Sequence, residues 1–409
     1  MGRNPRTNLN ICTTKDSVTL HGVALFLLVT KIIMVCILKY RIILLHKQSD
    51  GMSRTDGKVG CSNKSHFTIR RVLMEQEARF YPVPYLMNLE LTSKCPLKCP
   101  QCYCDLQNGR NLDYQTALKW LDNAARIGVE YINLSGGETM CYPQLIPMLE
   151  YISDKGMKAN VALSGYGFGK TQLMAMKKAK INEICISLNG PTKEINEYSR
   201  EGFELAIAAL QLLKEERYQD TCINWVMHQS NADHLQAMVD LSEEYQIKEL
   251  VIMVFKPDSE HERKGLPTLA QLKATADIVK KHQGEVTISV ESCFTQLRIL
   301  LSERFWGNVN RGINKGCGAG RDGISINLEG KLTPCRHLEF AEDYQSIEEY
   351  WQQSLVLEKL RTVEDAKEEV CQQCRYNKYC LPCMAINVKT KGKIAFGEDD
   401  CQLAIQEVL

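Results

Sequence analysis

From residue 85 onward, short strand-like runs alternate with longer segments of helical spacing. This rhythm limits the fold more than any other feature of the chain. Strand patterns fall at 85–91, 131–134, 158–163, 183–188, 221–227 and 249–255. Helical patterns fall at 113–126, 143–155, 171–179, 203–216, 232–245 and 268–282, the first behind Asp113 as N-cap. Six strand–helix units in succession predict a parallel sheet with right-handed crossovers. The expected fold class is therefore α/β, a partial (β/α)6 TIM-like barrel over 85–290. Ligands of such sheets sit at the C-terminal ends of the strands.

After Cys293 the rhythm stops. Residues 317–409 carry short elements and seven cysteines, opened by Gly316-Cys317-Gly318-Ala319-Gly320. A hairpin is expected from 324–328 and 331–334 across Glu329-Gly330. This segment reads as a small second domain organised by metal, joined through a bridging region at 291–316.

The chain has 18 cysteines among 409 residues, and they cluster. Close pairs favour metal ligation over disulfides, and thiolate sites need a reducing compartment, which predicts a cytoplasmic location. Lys plus Arg number 50 against 49 Asp plus Glu. The resulting charge of +1 carries no electrostatic footprint for nucleic acid.

Cys95, Cys99 and Cys102 form a Cys-x3-Cys-x2-Cys loop directly after the first strand. Three thiolates on one tight loop bind three irons of a cubane cluster and leave the fourth open. Pro96 and Pro100 keep the loop from becoming helix. On spacing alone, a zinc site completed by Cys104 also fits. The second strand ends in Ser135-Gly136-Gly137-Glu138, where glycines let backbone pass close to a ligand and Glu138 offers an acceptor for an amino group. The fourth ends in Ser187-Leu188-Asn189-Gly190-Pro191, with Arg200 beyond. The fifth strand offers Asn224 and then Asn231, and the sixth Phe255 with Pro257, as further pocket residues, which ordinary loop chemistry also explains.

The C-terminal spacing is Cys317-x12-Gly330-x4-Cys335, Cys371-x2-Cys374-x5-Cys380-x2-Cys383, then Cys401. Such pairs also suit tetrahedral zinc. Cys12, Cys36, Cys61, Cys104, Cys141, Cys185 and Cys222 receive no role. Cys185 and Cys222 lie in strand patterns, where a free cysteine acts as a small apolar residue.

The Cys95–Cys102 loop, its place after strand one and the Gly-Gly-Glu at the end of strand two resemble the radical S-adenosylmethionine (SAM) superfamily. The resemblance covers 85–401. It implies a 4Fe–4S cluster on Cys95, Cys99 and Cys102 whose open iron binds SAM, and reductive cleavage of SAM to a 5′-deoxyadenosyl radical. It also implies cofactor contacts at Gly136, Gly137 and Glu138 (methionyl amine), at Ser187 and Asn189, and at Arg200 (carboxylate). Gln101 stands where the family usually has an aromatic residue, and Asn189 where it usually has Asp. The C-terminal spacing resembles the SPASM extension, apart from its Cys380-x2-Cys383 step. That likeness implies two auxiliary 4Fe–4S clusters, one on Cys317, Cys335 and Cys383, the other on Cys371, Cys374, Cys380 and Cys401. The family's further ligand position holds Arg311, which leaves an open iron or Cys293 as the closing ligand.

The implied activity is hydrogen abstraction from a peptide or protein. Maturation of a ribosomally made peptide by cross-link, thioether or epimerisation leads. Formylglycine formation in sulfatases, a small-molecule dehydrogenase and a non-catalytic cluster scaffold or sensor are the alternatives. A flavodoxin- or ferredoxin-type electron donor is implied as a partner. Residues 52–84 are too short for the leader-binding domain of peptide maturases, so a separate leader-binding protein or another surface is expected to take that role. No acid or base for the substrate is marked by spacing.

Residues 1–51 form an apolar and basic extension. Its stretch 22–38 is broken by Lys31, which does not suit a signal peptide. Three readings stay open: a short membrane anchor, a buried helix, or an upstream extension with Met52 as the start. Residues 52–84 read as linker.

Overall fold

Asn88, Asn133 and Asn160 sit at matching positions of three adjacent strands, and their amides hydrogen-bond across the sheet. This polar ladder faces the inside of a curved parallel sheet, while Leu89, Ile132 and Val161, on the other face of the same strands, are fully buried. Strand alternation thus separates a polar lumen from an apolar layer beneath the helices.

The computed structural model describes residues 79–301, 316–397 and 401. The strands are β1 (Leu86–Thr92), β2 (Tyr131–Gly136), β3 (Lys158–Leu163), β4 (Glu183–Ser187), β5 (Thr221–Met227), β6 (Glu249–Val254), β7 (Thr287–Val290), β8 (Gly323–Ile326) and β9 (Leu332–Thr333). The crossover helices are α1 (Tyr114–Ile127), α2 (Leu145–Asp154), α3 (Lys170–Lys178), α4 (Lys193–Glu197), α5 (Phe203–Glu215), α6 (Leu235–Glu244) and α7 (Leu269–Lys281). Then come α8 (Thr295–Leu300), α9 (Ile347–Gln353), α10 (Leu355–Thr362), α11 (Glu369–Gln373) and α12 (Met384–Lys391). Asp113 caps α1, accepting from the Thr116 amide at 2.8 Å.

The six expected strand–helix units are present, as an open partial barrel. Two strands extend it beyond the expectation. β7 adds in parallel to β6, a short strand with no fully buried residue and so no strong apolar signal. β8 pairs in parallel with β1, with Leu86 opposite Gly323. The order is β7-β6-β5-β4-β3-β2-β1-β8-β9, all parallel except the β8–β9 hairpin. The hairpin expected in the Cys-rich segment thus completes the barrel sheet. Gly323 leaves room there for the Leu86 side chain, which a Cβ would meet at 2.7 Å and force to shift.

Behind β8, Arg321 is fully buried. It pairs with Glu364 at 2.7 Å and donates to the Arg79 and Arg361 carbonyls. Arg361 in turn donates to the Gly320 carbonyl and stacks on Phe80 and Trp351. These two cations tie the C-terminal helices to the barrel within the compact unit 66–409.

Residues 1–78, 302–315, 398–400 and 402–409 lie outside the described residues, and with them the apolar stretch 22–38, Met52, most of the expected linker and Arg311. Among the described residues, no helix is long and apolar enough to cross a membrane.

Candidate active site and cysteine centres

β1 ends at Thr92, and the chain turns at once into the Cys95–Cys102 loop. Two backbone bonds fix that root against the end of β2: the Gly137 amide donates to the Thr92 carbonyl at 2.6 Å, and Glu138 to Lys94 at 2.8 Å. The approach is so close that a Cβ on Gly136 would sit 2.3 Å from the Thr92 oxygen, and one on Gly137 2.5 Å from that of Lys94. Gly136 also has φ +145. The two glycines are therefore required by the seat of the cysteine loop. The loop's far side is held by the segment after α4: Lys98 donates to Glu201 at 2.8 Å and Gln101 to the Ser199 carbonyl at 3.3 Å.

Cys95, Cys99 and Cys102 all line one cavity of about 340 Å³ at the C-terminal ends of the strands. Burial pushes the Cys95 thiol up to about 11. Contact with the Cys104 thiol brings Cys102 down to about 6. Cys104 itself bonds the Gly136 carbonyl at 3.1 Å. Two polar atoms on this cavity's wall, Gln101 Oε1 and Ser135 Oγ, are buried and have no hydrogen-bond partner. Three thiols on one loop beside unspent polar atoms fit a cluster with a polar cofactor laid over it.

The remaining expected contacts divide. Ser187 and Arg200 both line the cavity, and Arg200 Nε donates to the Ser187 carbonyl at 3.0 Å. Asn189 is buried and fully engaged: its Nδ2 donates to Ser199 Oγ at 2.9 Å, and its Oδ1 accepts from the Val226 amide at 3.1 Å. An Asp there would lose the donor, which accounts for the amide at this corner. Glu138, expected to offer an acceptor for an amino group, is already engaged within the protein. It is 1% exposed, and its carboxylate accepts from the Ser164 amide at 2.9 Å, from the Ser164 hydroxyl and from the Met140 amide. Burial pushes its carboxyl up, opposed by those bonds. It braces the β2 and β3 termini, while the backbone of 135–137 faces the cavity. Asn224 and Phe255 line the wall; Asn231 is buried and supports Asn189, donating to its carbonyl at 2.9 Å.

Lys256, Arg336 and His337, none of them marked by spacing in the sequence, also line the cavity. Lys256 bonds both Glu291 oxygens at 2.9 Å. Burial opposes its charge, but Glu291 and the thiols of Cys293 and Cys383 hold it protonated. His337 packs on Tyr103, ring centroids 4.5 Å apart, and burial keeps its imidazole neutral. The Cys335-Arg336-His337 triplet was the available signal, a cation and an imidazole directly after a candidate ligand.

The C-terminal cysteines fall into two groups. Cys317 reaches Cys383 because its amide donates to the Leu381 carbonyl at 2.9 Å, an approach that Gly316 permits. Cys293 hydrogen-bonds Cys383 and lies near Cys317 and Cys335. Burial pushes Cys317 up to about 12 and Cys335 to about 11. Cys371, Cys374, Cys380 and Cys401 instead line a separate pocket of about 40 Å³. Burial raises Cys371 to about 11 and Cys380 to about 12. Buried thiols of this kind ionise when a metal binds them.

Residues 89–242 match the radical SAM superfamily. The chain carries a radical SAM domain. Such a domain takes one 4Fe–4S cluster and SAM. A PqqA peptide cyclase of Ruegeria pomeroyi is 27% identical over 309 residues, 72% of this chain and 80% of that protein. The fold is shared with Streptococcus suis SuiB, solved with its precursor peptide SuiA: TM-score 0.66 at 18% identity, over 91% of this chain and 89% of that one. It is shared also with anSMEcpe, solved with bound AdoMet: TM-score 0.62 at 16% identity, over 79% of this chain and 95% of that one.

Proposed function

We propose that this radical SAM enzyme modifies a peptide, with Cys95, Cys99 and Cys102 holding the catalytic cluster and two further clusters behind the substrate cavity. The observation that carries this reading is the shared cavity. The cysteine loop lines it together with Arg336 and His337, which directly follow Cys335 and pack on Tyr103 next to the loop. Cluster-bound SAM supplies a 5′-deoxyadenosyl radical there. Arg200 and the 135–137 backbone orient the cofactor's methionyl end, with Ser187 beside them. Asn189 and Glu138 act through the backbone they hold. Walls built by Val226, Val251 and Met253 keep water from the lumen side.

The first auxiliary group is Cys317, Cys335, Cys383 and Cys293, which closes the set with four thiols. The second is Cys371, Cys374, Cys380 and Cys401. A cluster on the first group, whose Cys293 and Cys383 lie near Lys256 beside the cavity, would be placed to take up the electron released when a substrate radical closes into a bond. The peptide reading rests on the PqqA peptide cyclase and on SuiB with its precursor peptide. The fold shared with anSMEcpe keeps sulfatase maturation as the second reading. A flavodoxin- or ferredoxin-type donor and a separate leader-binding protein complete the proposed set of partners, and a reducing, cytoplasmic compartment suits the free thiols.

The test is anaerobic turnover with SAM, a reductant and the short peptides encoded beside the gene. A cross-linked, thioether-bridged or epimerised peptide, formed in step with 5′-deoxyadenosine, supports the reading. Formylglycine in a sulfatase peptide with no change in the neighbouring peptides redirects it.

A further inference from the structure

At the opposite end of the lumen from the cysteine loop lies a third constellation. Glu183 is the first residue of β4. Cys185 follows it on the same face of that strand, and Cys222 of β5 is the direct register partner of Cys185. All three line the cavity wall. One ligating atom from each, a Glu183 carboxylate oxygen and the two Sγ atoms, lies within 4.8 Å of the others. Glu183 and Ser187 are four residues apart on one strand, about 13 Å at the usual rise. The group is therefore well separated from the cofactor end.

We infer that Glu183, Cys185 and Cys222 form a binding site for a thiophilic divalent cation, Zn2+, on the floor of the barrel. Tetrahedral zinc with sulfur at about 2.3 Å sets ligand–ligand edges of about 3.8 Å, within reach of this spacing. Cys185 Sγ and Glu183 Oε2 are already 3.4 Å apart. Asn224 Oδ1, 3.8 Å from Cys222 Sγ, stands beside the fourth position, which opens on the cavity. Two thiolates and a carboxylate select zinc over magnesium or calcium.

The surroundings supply no other cation at contact. Glu183 forms no salt bridge among the described residues, and its hydrogen bond comes from the Cys185 thiol. The neighbouring asparagine ladder spends its amides on itself, Asn182 donating to Asn160 at 2.7 Å. Burial pushes the Glu183 carboxyl up, and the Cys185 contact and burial push the Cys222 thiol up. Zn2+ entering the site displaces the two thiol protons and any proton on the carboxyl, and it leaves no buried acid unpaired.

The test uses the full chain with its clusters reconstituted anaerobically, exposed to Zn2+ and desalted. We expect about one retained zinc per chain, with an X-ray absorption first shell of two sulfurs at about 2.3 Å and light atoms near 2.0 Å. The double variant Cys185→Ala/Cys222→Ala loses that zinc while iron content and visible absorbance stay unchanged. Glu183→Gln weakens the Zn2+ Kd at least about tenfold, the loss that a mere outer partner already causes. Equal zinc in wild type and double variant overturns the site. So does a four-sulfur zinc shell, which places the metal on cluster cysteines. A Cys185–Cys222 disulfide in protein purified without reductant also overturns it, making the pair redox-active instead. The wild-type spectrum and Glu183→Gln decide the matter should the double variant fail to fold. Zinc uptake and SAM cleavage are measured separately, so either reading can fail alone.

Discussion

The two cysteine-bearing regions of this chain are built in opposite ways. The Cys95–Cys102 loop grows from the end of a central strand, and its root is held by two short backbone bonds to β2 and two contacts beyond α4. Its position follows from the sheet. The C-terminal cysteines sit on loops and short helices, and each group is assembled from residues far apart in sequence: Cys293 meets Cys383, and Cys371 shares a pocket with Cys401. The first region is a strand-end loop whose root is fixed by backbone bonds of the sheet. The second sets buried thiols beside apolar residues such as Leu381 and Met384, so a metal bound there would also contribute folding energy.

The largest effect is expected at the first loop. Cys99→Ala should abolish formation of 5′-deoxyadenosine, read by chromatography, with a loss of about four irons per chain and little change in thermal stability. Full SAM cleavage by this variant would remove the catalytic cluster from the loop. Cys383→Ala should do the reverse. Iron again falls by about four and thermal stability drops, while SAM cleavage stays within a fewfold of wild type and peptide product disappears. Equal iron in Cys383→Ala and wild type would show that this group holds no cluster.

Two further variants sharpen the contrast through packing alone. Arg321→Ala leaves the buried Glu364 carboxylate without its partner and unties the C-terminal helices from β8. It should cost about 3–5 kcal/mol in urea unfolding monitored by tryptophan fluorescence. Gly137→Ala forces a Cβ to within 2.5 Å of the Lys94 carbonyl. A cost of about 1–3 kcal/mol is expected, with a larger fractional loss of iron from the first cluster than from the others. A Gly137→Ala protein with normal iron and stability would show that the loop root yields more readily than its geometry implies.

Smaller again is Asn189→Asp. Replacing the amide donor to Ser199 should cost about 1 kcal/mol and raise the KM for SAM more than it lowers kcat, because Asn189 holds the strand end rather than the cofactor. A fall in kcat alone would give Asn189 a direct part in chemistry.

Much of the barrel was legible because its signals are local. Period-two and 3.6-residue patterns, the Asp113 cap and the glycines of 136–137 each act within a few residues. β7 and the sheet-completing role of β8 were not legible, since β7 lacks a strong apolar pattern and β8 depends on a partner more than 230 positions away. The same division runs through the site. The cluster cysteines declared themselves by spacing. Lys256, Arg336 and His337 did not, because a cation or imidazole is ordinary on a surface and acquires meaning only when buried facing a cavity. The bonds of Glu138 to Ser164 and Met140 were not legible for the converse reason: a motif shows that a carboxylate is needed and not which way it turns.

The sequence by itself determined that residues 85–290 make strand–helix units with a thiolate loop at the first strand end, because propensity and ligand spacing are carried by neighbours in the chain. Tertiary structure alone decided which distant groups meet. It brought Cys293 to Cys383, set Glu138 inward as a brace, and brought Glu183 to two cysteines that read as plain core residues. Contacts across parallel strands and between loops depend on register and burial, and neither is written in local sequence.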